Sequence, residues 1–152
     1  AVDESLNATS ADEIDKNAVA GAFADLALAA GCLDEVLAQR PDDTDALVMK
    51  SLALGLLGLV DRDSVPAAVA LADRVLEIEP GSPDALLLRS VWQDNLGNFD
   101  AASDDLDALG DRRVSPLIGQ FVDREAVRAD IAAQVAEASA TTSTTAASTT
   151  NQ

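Results

Sequence analysis

Pro41-Asp42-Asp43-Thr44-Asp45-Ala46-Leu47 aligns on Pro80-Gly81-Ser82-Pro83-Asp84-Ala85-Leu86, and Leu57-Gly58 aligns on Leu96-Gly97. The shift from Pro41 to Pro80 is 39 residues. A sequence period of about 20 to 50 residues marks stacked structural units rather than one closed core, and at this length the unit is a helical hairpin. Arrays of that kind work as surfaces for holding other proteins, so their function resides in an exposed face rather than in catalytic groups.

Composition fits such an array. Nearly half of the 152 residues are apolar, yet only 3% are aromatic, so Ala, Leu and Val must do the packing. Small and unbranched side chains favour close helix–helix contact over a β-sandwich. The net charge is −17, and Lys16 and Lys50 are the only lysines. Such a surface repels nucleic acid and anionic membranes, so neither is expected as a partner. An Asp-rich, Lys-poor surface also suits high salt, although an ordinary acidic protein has the same balance.

Histidine is absent and Cys32 is the single cysteine, which excludes an internal disulfide and a Cys/His zinc site. Cys32 is expected to pack as a small apolar residue. Asp25 interrupts the apolar stretch 18–33 and Lys50 interrupts 46–60, so no membrane-spanning segment is predicted. The start at Ala1-Val2-Asp3-Glu4-Ser5 has the look of a mature end left by signal-peptide cleavage, so export to the periplasm, cell surface or medium is expected. Asn7-Ala8-Thr9 matches the N-glycosylation acceptor pattern.

The predicted organisation is an extension over 1–10, a helical domain over 11–138 and a Thr/Ser/Ala-rich tail over 139–152. Ser10-Ala11-Asp12-Glu13 has the form of a capping box, opening a helical region to about residue 40 that breaks or bends near Gly21 or Gly31. Helices are predicted over 45–57, 66–79, 83–96 and 99–109, punctuated by Gly58, Pro80, Gly97 and Gly110. Ser115-Pro116 opens a helical turn, and a last helix over 123–138 places Val127, Ile131 and Val135 on one stripe, as a terminal capping helix requires. The tail is uncharged and rich in Thr, a poor helix former, so a non-helical segment is expected.

These residues resemble the tetratricopeptide repeat, a helix–turn–helix unit of about 34 residues. In the better match Ala85-Leu86 opens the first helix, Ser90 is its small contact residue, Gly97 and Phe99 form the turn, and Ala102, Leu106 and Leu109 belong to the second helix. The preceding unit has Ala46-Leu47, Ser51, Leu54 and Gly58, then Ala68, Ala72, Val75 and Pro80, with a longer turn that extends the period. A degenerate unit ends at Pro41, with Ala29, Leu33 and Val36 in its second helix. The resemblance implies an all-α superhelix of antiparallel helix pairs, with repeats over 11–41, 44–80 and 83–110 and capping helices over 116–138.

It further implies a concave groove lined by first helices, at Asp45, Val48, Leu52 and Leu56 in one unit and Asp84, Leu87, Val91 and Asn95 in the next. No Lys or Arg occupies these positions, so the basic clamp that some members close on a C-terminal carboxylate is absent. An apolar or small-residue segment suits such a groove, with hydrogen bonds from Asn95; the competing expectation is that these leucines simply pack within a closed bundle.

Asp61 and Asp63 are the only candidate metal ligands, and their loop lacks the glycine and distant Glu of the helix–loop–helix calcium motif. Without His, Tyr or a phosphate loop, catalysis is not expected, and neither is a cofactor. The expected function is structural: a protein that binds other proteins, most of all further copies of itself. In that picture the uncharged tail, through Thr141, Thr142, Thr144, Thr145, Thr149 and Thr150, contacts a neighbour and builds a filament or tube. The alternatives are a monomeric exported adaptor with a different protein in its groove and a glycosylated cell-surface or matrix protein.

Overall fold

The structure, a computed structural model, describes residues 5–148, with side chains described over 16–142. It is all-helical among those residues. The elements are α1 (Ser5–Gln39), α2 (Thr44–Leu57), a 3-10 turn (Arg62–Ser64), α3 (Val65–Ile78), α4 (Pro83–Asn95), α5 (Phe99–Leu109), α6 (Pro116–Phe121) and α7 (Arg124–Ser148). Helices from α1 to α5 each pack on the next, α2 also touches α4, and α7 lies on α5 and the edge of α4.

Local chemistry sets the boundaries of the middle helices. Asp43 caps α2, its Oδ1 accepting from the Ala46 N–H at 3.0 Å, which satisfies one of the orphan donors of the first turn. Pro66 and Pro83 stand in the first turns of α3 and α4, where the missing N–H costs nothing. Gly81 and Gly97 take positive φ, 89° and 81°, in the turns that flank α4. Gly58 ends α2 for a different reason: its φ is an ordinary −58°, but a Cβ there would collide with Val65.

The small residues mark the close contacts. Ala46, Ser51, Ala68, Ala85, Ser90 and Ala102 are all buried, which lets the helix axes approach. Trp92 is pinned between hairpins. Its Nε1 donates to the Ser51 Oγ at 3.2 Å, and that hydroxyl donates onward to the Ala68 carbonyl at 2.8 Å. A Cβ on Gly55 would overlap the indole ring, so α2 carries glycine where α4 presents its largest side chain.

Four expectations need correction. The region 5–39 is one continuous helix, so there is no break at Gly21 or Gly31 and no helix pair over 11–41. Both glycines have open space where a Cβ would stand, so no packing demand interrupts the helix there. Ser10 lies inside α1 and does not open it. Cys32 is exposed, on a side of α1 that the neighbouring helix does not cover.

The C-terminal stretch is the fourth. Residues 139–148 continue α7 as helix rather than forming a non-helical tail. Hydroxyls of Ser139, Thr141 and Thr142 donate to carbonyls four residues back, at 2.9, 3.0 and 3.0 Å, so these side chains are accommodated by the helix backbone. Thr144 and Thr145 lie on the same helix, whereas Thr149 and Thr150 are outside the described residues.

Candidate binding site

The eight groove positions separate into two sets. Asp45, Val48 and Asp84 line one concavity of about 240 Å³, together with Met49, Ser115, Leu117 and Ile118. Leu52 and Leu56 line an adjoining slot of about 160 Å³ between α1, α2 and α6. Met49 and Leu117 border both spaces, so the two form one composite depression. Leu87, Val91 and Asn95 do not line it.

The reason lies in the segment 111–135, which covers α4. Leu87 is fully buried at 0% exposure, in one cluster with Ile118, Val122 and Ile131. Val91 packs against the same cluster, and the Asn95 side chain turns back to donate to the Val91 carbonyl at 3.2 Å. Val127 and Val135 of α7 also pack on that cluster. The Ser115 N–H donates to Asp84 Oδ1 at 2.7 Å, which ties the start of α6 to the first turn of α4.

The slot is apolar throughout. α1 supplies Leu26, Ala29 and Leu33, and α2 adds Ala53 to Met49, Leu52 and Leu56. The third wall is α6, where Leu117 and Phe121 remain 40% and 56% exposed. Apolar side chains that line a depression and still face water present area whose burial is favourable.

Ion pairs repeat with the sequence period. Lys50 of α2 pairs with Asp34 of α1, and 39 residues later Arg89 of α4 pairs with Asp73 of α3 at 2.7 Å. Arg89 also grips Asp105 of α5 with two hydrogen bonds, at 2.8 and 2.5 Å, and these, the Asp105 bond above all, hold its guanidinium more firmly protonated than usual. Sequence reading missed this pair although its signal was present, since both partners recur at the same shift as the prolines. It also missed Leu26, Leu117 and Phe121, because only the folded chain brings α1 and α6 beside α2, and Met49, the α2 neighbour of the expected Val48.

The acidic loop of Asp61 and Asp63 has a local explanation. Asp61 caps the 3-10 turn, Oδ1 accepting from the Asp63 N–H at 3.3 Å and Oδ2 from the Ser64 hydroxyl at 3.2 Å. Among the described residues no group of three or more Cys, Asp or Glu side chains is disposed to hold a metal ion. Asp94 is different. Its Oδ1 is buried without a hydrogen-bond partner, and burial, with Asp130 of α7 adding to it, pushes the carboxyl above its ordinary range. No described helix is long and apolar enough to cross a membrane. No family model, curated protein or solved structure matches the chain.

Proposed function

We propose that the chain is a non-catalytic protein-binding module of the tetratricopeptide type, with α2–α3 and α4–α5 as its repeat units and the α1/α2/α6 depression as its docking face. Two observations support the repeat reading: the small residues recur at helix contacts, and the Lys50–Asp34 and Arg89–Asp73 pairs recur at one spacing. The observation that carries the binding reading is the slot itself, apolar on every side and bounded by the half-exposed Phe121. A folded chain gains by burying such a surface on a partner.

A photoreactive benzoylphenylalanine in place of Phe121, in the full chain, tests this in the native cellular extract. Illumination should join the chain to another polypeptide, while the same group in place of Asp104, exposed on α5, should not. No adduct at position 121 above that control would end the binding reading. A second reading, assembly of like chains through residues 139–152, is favoured by the lack of charge in that stretch of a −17 chain. It requires an adduct of twice the 15.6 kDa chain mass.

A further inference from the structure

The depression is where the repeat is incomplete. By the period of 39, the second half of α1 stands to α2 as α3 stands to α4: Ala29 corresponds to Ala68, Leu33 to Ala72 and Asp34 to Asp73. For α4, a further neighbour exists, because α2 lies beside it and receives Trp92 against Ser51 and Gly55. Among the described residues no helix stands to α2 as α2 stands to α4, since α1 is one continuous rod instead of a hairpin. The residue of α2 that corresponds to Trp92 is Ala53, and it lines the open slot.

We propose that this vacancy is filled by an amphipathic helical segment of a partner protein, presenting one large apolar side chain to the slot and a Lys or Arg beside it to the carboxylates of Asp45 and Asp84. The inference rests on the binding reading above and names the chemistry of the occupant. Size sets the first requirement. A space of 160 Å³ walled by Leu, Met, Ala and Phe admits one Leu, Met or Phe side chain, since an engineered apolar cavity of about 150 Å³ takes a benzene ring.

Charge sets the second. The adjoining 240 Å³ concavity carries two carboxylates and no cation, and it belongs to a chain of net charge −17. A basic group entering there is attracted, and an acidic one is repelled. The two spaces share Met49 and Leu117, so anchor and cation lie on the same face of a short segment. The chain's own C-terminal stretch does not meet either requirement. Residues 139–152 contain only Ser, Thr, Ala, Asn and Gln, with neither a large apolar side chain nor a positive charge.

The probe is a short fluorescent peptide of Ala and Gln with one Phe and two Lys spaced on one helical face, titrated by anisotropy into the full chain. Phe→Ala in the peptide should weaken binding by about 10- to 100-fold, the loss expected for one buried aromatic side chain. Exchanging both Lys for Glu should weaken it comparably at about 0.05 M salt, and far less at about 0.5 M, where the Debye length is only a few ångströms.

In the protein, Ala29→Leu fills the slot from its exposed edge and should remove the preference for Phe, while Asp45→Lys should remove the preference for Lys. Circular dichroism establishes that both variants keep the helical body. Equal binding of the three peptides, no binding of any, or an Ala29→Leu variant that binds like the parent overturns the inference. If Phe121 nevertheless crosslinks to a polypeptide, the binding reading stands and only the chemistry assigned to the occupant is wrong.

Discussion

Val48 and Leu87 hold the same place in two hairpins 39 residues apart, as do Met49 and Leu88. On α4 both leucines are completely buried, whereas on α2 both counterparts are only partly buried. The backbone pattern around them is the same, down to Ser51 and Ser90, which are equally buried. Even those serines differ in use: Ser51 bridges to α3, and Ser90 turns back to the Leu87 carbonyl of its own helix at 2.7 Å. Neighbours therefore decide what a repeat position does. The second hairpin has α2, α6 and α7 against it and serves as core, while the first has an incomplete set and keeps a depression open to solvent.

The largest expected effect tests that contrast directly. Leu88→Ala should cost about 3–4 kcal/mol, because a fully packed site leaves a cavity behind. Met49→Ala, at the matching place, should cost only about 1 kcal/mol, since it widens a slot already open to solvent. Urea melts of the two variants measure the difference, and equal losses would erase the distinction between the hairpins.

Next in size is Gly55→Ala. The added methyl must displace the Trp92 indole, at a cost of about 1–3 kcal/mol by overpacking. In a Trp92→Leu background the same substitution should be nearly free, and a double-mutant cycle reads that coupling. Additive losses would mean that the indole does not set the requirement for glycine.

The smallest effect concerns Asp94, the counterpart of Gly55 on α4. Its carboxyl titrates higher in the folded chain than in the unfolded one, so the ionised group weakens the fold at neutral pH. Asp94→Asn should raise the melting temperature at pH 7. The advantage should shrink as pH falls through the folded pKa, because the parent then gains stability by taking up a proton that the unfolded chain does not yet bind. A variant whose advantage is unchanged across the acid range would remove burial of this charge as the cause.

Much of the middle of the molecule is written in short-range chemistry, which is why it can be read directly. Asp43, Pro66, Pro83, Gly97 and Gly110 act within one turn of themselves, and the helices they bound start and stop within a residue or two of the expected places. The ends are governed by weaker competition. Gly21 and Gly31 have local costs of about 1 kcal/mol each against Ala, too little to stop a helix whose neighbours propagate it. Thr141 and Thr142 are poor helix formers by propensity, and their hydroxyls find backbone acceptors within the helix. Of the depression, Asp45, Val48, Leu52 and Leu56 of the α2 wall were legible from the repeat register. The α1 and α6 walls were not, since Leu26 and Phe121, far apart in sequence, come to line one slot only through tertiary packing.

Trp92 is the single tryptophan of a chain without tyrosine. Its ring is 3% exposed and its N–H is engaged by a serine from the other hairpin. The near-ultraviolet emission of the whole protein thus reports one junction and nothing else. Separation of α2 from α4 must shift that emission to the red, whatever the helices themselves are doing. Emission and far-ultraviolet ellipticity followed on one sample therefore reveal whether the two hairpins part company before either one melts, with no label introduced.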